Sequence, residues 1–276
     1  MHVPRVRRWK PLALSAAAVL VGLTVPTTAT ASPAPAAPSA AAPTYAGAYD
    51  DTYYRDALGK TGPALKSALH TIIGKQTKVS YSQVWDALKT TDQDPANSAN
   101  VILLYTGASR SKSSSGGDQG DWNREHVWAK SHGDFGTATG PGTDLHHLRP
   151  EDVTVNSIRG NKDFDNGGGA VAGAPGNLTD GDSFEPRDAV KGDVARMILY
   201  MAVRYDGEDG FPDLEPNDRV DNGSAPAIGR LSVLKQWSDE DPPDAFEKNR
   251  NQVIFDKYQH NRNPFIDHPE WVEQVW

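Results

Sequence analysis

Residues 122–128 read WNREHVW, residues 143–150 read TDLHHLRP, and residues 151–161 read EDVTVNSIRGN. The order of these pieces decides the fold. Trp122–Trp128 has the aromatic and β-branched content of an extended segment. Gly133, Gly136, Gly140, Pro141 and Gly142 mark a turn-rich loop after it. Thr143–Pro150 predicts a second short strand, with Leu145 and Leu148 as its apolar residues. Glu151-Asp152 then caps a helix that starts near Val153. On that helix Asn156 sits about one turn in, and Arg159 follows three residues later on the same side. The predicted unit is strand, loop, strand, helix.

The same stretch holds most of the unusual chemistry. Four histidines, His126, His132, His146 and His147, fall within 22 residues, flanked by Glu125, Asp144, Arg149, Asn156 and Arg159. A near-neutral imidazole takes a proton from water at pH 7. Carboxylate and amide oxygens suit a hard divalent ion. Arginine grips phosphate oxygens through paired hydrogen bonds. Together these groups match metal-assisted attack on a phosphate ester. If Thr143–Pro150 is a strand, His146 and His147 face opposite sides and at most one enters a common site. His146 is the candidate to orient a ligand or water. His132, between serine and glycine, is expected on the surface. Asp144 is either an acceptor for a nearby His or Arg, or a turn cap.

With EH on the first strand and VN on the helix, the chain resembles the ββα-metal (His-Me finger) nucleases, and more closely the bacterial extracellular endonuclease I family. NREHVW (123–128), DLHHLRP (144–150) and VNSIRGN (155–161) carry the resemblance. So do FEPRDAVKGDVARMILYMAVRY (184–205) and NRNPFIDHPEWV (261–272), and together the blocks span most of residues 60–276. The resemblance implies an α+β fold, a helix-rich single domain around a small ββα-metal core. It implies His126 as general base and Glu125 and Asn156 as ligands of one Mg²⁺ or Mn²⁺. It also implies DNA, and often RNA, as substrate, with 5′-phosphate products. Arg149 is expected to grip phosphate, with Arg159 as a second substrate contact. His146 and Asp144 are expected behind the ligands. One conflict stands: neighbours on a regular strand face opposite ways, so Glu125 and His126 share a site only where the strand ends, twists or bulges.

Around this centre the chain reads as helical. Thr61 and Pro63 open a helix that Gly74 stops, with Leu65, Leu69, Ile72 and Ile73 on one face. Ser80 opens another, with Tyr81, Val84, Trp85 and Leu88 expected inward. Asn100–Thr106 predicts a buried strand, and 107–120 a polar loop. Asp188 caps a strong helix whose Val190, Val194, Met197, Ile198, Met201 and Tyr205 form a core stripe. A last helix is expected over Asp244–Gln259.

The amino terminus reads as a secretory signal over residues 1–31: a basic Met1–Lys10, an apolar Pro11–Val25, and the small-residue site Ala29-Thr30-Ala31. The apolar run is too short for a comfortable membrane span. SPAPAAPSAAAP at 32–43 is a linker, and residues 44–276 form the expected nuclease domain. The protein is thus expected outside the cell, with no membrane contact once processed and no obligate protein partner. It has no cysteine, which excludes disulfides, thiolate metal sites and a cysteine nucleophile. Without residues 1–43, 24 basic side chains face 36 acidic ones, a net charge of −12. Capture of nucleic acid by a broad basic face is therefore excluded. The acidic run 206–222 is a candidate structural Ca²⁺ loop. Two other readings stay open: a zinc phosphoesterase using His126, His146 or His147 with Asp144, and a non-enzymatic Ca²⁺-binding extracellular module.

Overall fold

The computed structural model describes residues 49, 50 and 52–276. The expected signal segment and linker lie outside the described residues.

The chain opens with α1 (Gly62–Ile73) and α2 (Tyr81–Thr91). Thr61 precedes α1, with Pro63 in the first turn, as its sequence requires. Ser80 caps α2 through a capping box with Gln83, each satisfying a free amide of the other. Strands β1 (Gln93–Asp94), β2 (Asn97–Ile102) and β3 (Ser109–Ser111) then form a small antiparallel sheet. The strand expected over Asn100–Thr106 therefore starts and ends earlier. Leu103, Leu104 and Tyr105 are buried beyond its end. The polar loop after it supplies β3.

The decisive stretch forms β4 (Trp122–His126), β5 (Leu148–Asp152) and α3 (Val153–Arg159). β4 and β5 pair antiparallel with Glu125 opposite Arg149 and His126 opposite Leu148. Asp152 caps α3, accepting from the amides of Thr154 and Val155 at 2.8 and 3.2 Å. The helix packs on both strands. The second strand begins later than its sequence pattern suggests. Pro141–Thr143 is a 3₁₀ turn, and Asp144 bends the next residues by accepting from the His146 amide at 2.9 Å. His146 and His147 thus lie in a turn, and strand alternation does not govern them.

Four short strands follow, β6 (Asp163–Phe164), β7 (Gly169–Ala170), β8 (Leu178–Thr179) and β9 (Ser183–Glu185), in the sheet order β6-β9-β8-β7. Helix α4 (Lys191–Arg204) comes next and is buried from Gly192 to Arg204. The parallel pair β10 (Glu215–Pro216) and β11 (Ala227–Ile228) leads into α5 (Leu231–Glu240), α6 (Ala245–Lys257), α7 (Pro264–Asp267) and α8 (Trp271–Val275). Among the described residues no helix is long and apolar enough to cross a membrane.

α4 is the axis of the larger core, and α1, α5 and α7 pack around it. Its expected stripe is buried there with Leu65, Leu69, Trp237 and Phe265. A second core lies between α2, β2, β5 and α6, built on Val84, Leu88, Val101, Trp122, Leu148 and Ile254. The β4–β5–α3 unit belongs to both. Val127, Trp128 and Val155 enter the first core, and Trp122 and Leu148 the second. Each large apolar side chain buried this way stabilises by roughly 1.5–3 kcal/mol. The unit is therefore clamped at both ends, which fixes the residues between. The fold is α+β.

Candidate active site

A cavity of about 470 Å³ opens along β4 and α3. Its lining includes Asn123, Arg124, Glu125 and His126 from β4, Asn156 from α3, Asn161, Lys130, and Tyr81 and Trp85 from α2. Its position resolves the conflict over neighbouring strand residues. β4 pairs with β5 along one edge, its other edge is bridged at Trp122 by Ser115, and the strand ends at His126. A cavity along the other edge meets side chains from both faces. Asn123 and Glu125 reach it from the α3 side, and Arg124 and His126 from the α2 side.

His126 is buried, with 6 % of its surface exposed. Its Nε2 lies 3.0 Å from the carbonyl oxygen of Gly142. A carbonyl only accepts, so Nε2 carries the proton and the Nδ1 lone pair is left free. Burial, reinforced by the nearby His147, holds this imidazole well below its ordinary pKa of 6.5. The ring is neutral at pH 7. His147 sits beside it, ring centroids 5.6 Å apart, with its own Nε2 on the Pro141 carbonyl at 2.7 Å. Burial lowers its pKa to about 4.

Glu125 is 2 % exposed. The Tyr105 hydroxyl donates to its Oε1 at 2.7 Å, and Arg159 Nη1 to the same oxygen at 3.2 Å. Both side-chain donors go to one oxygen, so Oε2 remains for a ligand. Burial raises this carboxyl above its usual range, while Arg159 and Tyr105 pull it back. Asn156 is fixed in a similar way. Its Nδ2 donates to Asn123 Oδ1 at 2.7 Å, which turns its amide oxygen away from that bond. The free atoms of Glu125 and Asn156 are hard oxygens, the donor set that Mg²⁺ and Mn²⁺ prefer. The residues present fit such an ion.

The two arginines expected on substrate are placed elsewhere. Arg149 is buried, its Nε 2.5 Å from Asp92 Oδ1 and its Nη1 3.2 Å from Asp193 Oδ2. It holds β5 to the segment after α2 and to α4, and it does not line the cavity. Arg159 is also buried. Besides Glu125 it donates to the carbonyls of His126 and Val127 at 2.9 and 2.6 Å. It braces the end of β4 instead of meeting solvent. The cations that do line the cavity are Arg124 and Lys130. Arg124 stood in the quoted motif, yet nothing in the sequence separated it from Arg149.

His146 and Asp144 belong to a buried polar cluster outside the cavity. Asp144 accepts from Tyr200 and Tyr205 at 2.9 and 2.8 Å and from Gln259 at 3.0 Å. His146 Nε2 faces Asn261, and its ring lies 4.5 Å from that of Tyr200. His147, not His146, is the neighbour of His126. His132 is buried too, its ring nitrogens 2.6 and 2.7 Å from the carbonyls of Ala227 and Asn161. Tyr81 and Trp85, expected inward, are half-buried on the cavity wall. Tyr105 carried no signal, because its role depends on a turn after β2 that only packing defines.

The four residues of the zinc reading are not assembled. Among the described residues, the one group of three or more His, Asp or Glu side chains close enough to share an ion is His70, Asp206 and Glu208. It includes the first part of the acidic run. An imidazole nitrogen there departs from the all-oxygen shell that Ca²⁺ favours. Other acids of that run meet protein cations: Asp209 pairs with Arg204 at 2.8 Å, and Glu215 with Lys66.

Two paired strands and a helix thus present imidazole, carboxylate and amide to one cavity. The chain belongs to the endonuclease I family, whose model matches residues 61–270. It is 70 % identical over 226 residues to an extracellular ribonuclease of Bacillus amyloliquefaciens, covering 82 % of this chain and 78 % of that protein. It is 67 % identical over 236 residues to an extracellular ribonuclease of Bacillus subtilis (strain 168), covering 86 % and 82 %.

Proposed function

We propose that the protein is a secreted, metal-dependent endonuclease that hydrolyses phosphodiester bonds in RNA and DNA to 5′-phosphate products. The relatives named as extracellular ribonucleases support both the extracellular location and RNA as a substrate. One observation carries the mechanism: His126, Glu125 and Asn156 line one cavity, and each has its other polar atom tied to protein.

His126 Nδ1 removes a proton from a water molecule, and the oxygen of that water bonds to phosphorus. The bond from phosphorus to the 3′ oxygen then breaks, the 3′ oxygen takes a proton from solvent to become a hydroxyl, and the phosphate stays on the 5′ oxygen. Glu125 Oε2 and the Asn156 amide oxygen would hold Mg²⁺ or Mn²⁺. When bound, the ion supplies Lewis-acid stabilisation of the charge on the phosphoryl oxygens and the leaving group. Tyr105 and Arg159 keep Glu125 oriented, and Asn123 keeps Asn156 from flipping its amide. Arg124 and Lys130 neutralise substrate phosphates where Arg149 and Arg159 do not reach. Few cations face the substrate and the processed protein carries net negative charge, so binding is weak and its dependence on salt shallow.

The test is incubation of the processed protein with plasmid and with RNA, under EDTA and after Mg²⁺ is restored, followed by end-group analysis. Cleavage that returns with Mg²⁺ and leaves 5′-phosphate ends is expected. Cleavage insensitive to EDTA, or 3′-phosphate ends, overturns the mechanism.

A further inference from the structure

We propose that Tyr81, Trp85 and Arg124 form a subsite for an unpaired nucleobase beside the scissile phosphate, so that the enzyme favours unpaired strands over duplex. The proposal rests on the nuclease reading above and adds the form of substrate that the site accepts.

All three residues line the same cavity as Glu125 and His126. Tyr81 and Trp85 are four apart on α2, so both rings point from one face of the helix. The Ser80–Gln83 capping box fixes the first turn of that helix and with it Tyr81. The Tyr81 ring is 5.9 Å from the His126 ring, with their planes tilted by 34°. The Arg124 guanidinium lies 3.5 Å from the Tyr81 ring centre and 4.1 Å from that of Trp85. Its Nη1 donates to the Tyr81 carbonyl at 2.7 Å, which ties it to the helix. Trp122 braces Trp85 edge-on, with centroids 5.3 Å apart. The result is a wall of planar groups, two aromatic and one cationic, one ring's contact distance from the general base.

Core packing accounts for only part of this wall. Tyr81 and Trp85 pack against the second core yet keep part of their surface in the cavity, while Val84 and Leu88 on the same helix are fully buried. Arginine on an aromatic face is stabilised as a cation–π pair and offers its own plane to a base. Stacking on such surfaces tolerates any base, since every base has a π face. In a duplex, both faces of each base are covered by its neighbours. A nucleotide whose phosphate sits at His126 can lay its base against the Tyr81–Arg124–Trp85 group only after that base leaves the stack. An unpaired strand meets that condition at little cost, whereas a duplex must first unstack.

The test uses the processed, full-length domain and one RNA oligonucleotide, offered single-stranded and annealed to its complement. The wild type is expected to cut the single strand at least tenfold faster in kcat/KM. Tyr81→Leu and Trp85→Leu are expected to lower that ratio about tenfold. A single-stranded substrate with one abasic nucleotide is expected to lose cleavage at the adjacent phosphate, a result that does not depend on any variant folding. Under EDTA, the intact oligonucleotide should quench tryptophan emission of the wild type more than that of Trp85→Leu. Equal rates on both forms, or unaltered cleavage beside the abasic position, overturns the subsite. Quenching without cleavage of either form in Mg²⁺ supports the subsite and refutes the nuclease reading.

Discussion

The Tyr105 hydroxyl lies 2.7 Å from Glu125 Oε1 and donates to it. Tyr105 is itself held by its backbone amide, which donates to Glu151 Oε2 at 2.6 Å. Burial, with the Glu125 charge beside it, keeps this phenol protonated well above its ordinary range, so it remains a donor. The bond orients a carboxylate that would hold a cation through its other oxygen. Tyr105→Phe removes that one bond and little volume. The Mg²⁺ concentration for half-maximal cleavage should rise about tenfold, with kcat at saturating Mg²⁺ nearly unchanged. A Mg²⁺ titration of initial rates checks this, and an unshifted midpoint removes Tyr105 from the support of the site.

Arg149 predicts a stability defect, not a binding defect. Its guanidinium bonds to Asp92 and Asp193 inside the protein. Removing it leaves two buried carboxylates without that partner, although Arg250 still reaches Asp92 at 3.2 Å. Arg149→Ala should lower the unfolding free energy by about 3–5 kcal/mol. Urea denaturation measures it. A variant of normal stability with a raised KM would return Arg149 to the substrate.

Glu151 predicts a pH-dependent contribution to stability. It is buried, its Oε1 has no hydrogen-bond partner, and burial raises its pKa from 4.5 to about 7. The folded state therefore binds this proton more tightly than the unfolded chain. The associated stability is fully present below about pH 4.5 and is lost as pH rises through about 7. The span corresponds to stabilisation on the order of 3 kcal/mol. Glu151→Gln keeps an acceptor for the Tyr105 amide and cannot titrate. Wild type and variant should be similarly stable at pH 5, where Glu151 is protonated, and the variant should be the more stable by pH 8, where burial opposes the Glu151 charge. Thermal denaturation across that range reads it, and a difference independent of pH contradicts it.

The parts of the fold legible in the sequence were those with local causes. Thr61 with Pro63, Ser80, Asp152 and Asp244 mark helix starts that are observed within a residue or two. The α4 stripe was legible because a helix buried all round still shows its most apolar residues at helical spacing. The strand expected over Thr143–Pro150 was displaced because Pro141 and Asp144 impose turns that an apolar pattern does not reveal. That displacement also exchanged the expected roles of His146 and His147.

For the site, the residue types in EH and VN located the cavity, because chemistry of that kind is rare and the two pieces are close in the chain. The arginines were misplaced because a guanidinium in sequence looks the same whether it meets a phosphate or a buried carboxylate. Arg149 finds Asp92 57 residues away, a pairing that no local pattern encodes. Tyr105 and Asn123 were missed for a related reason: each acts by fixing one atom of another side chain, which is visible only as a distance.

The account stands on a neutral imidazole at residue 126 taking a proton from water next to a cation held by Glu125 and Asn156. Its most direct test is the cleavage rate of His126→Ala on RNA at saturating Mg²⁺, with Mn²⁺ binding measured on the same protein. General-base loss predicts a fall of about 10²–10⁴-fold with Mn²⁺ affinity retained. A folded variant that still cuts at the wild-type rate would contradict it.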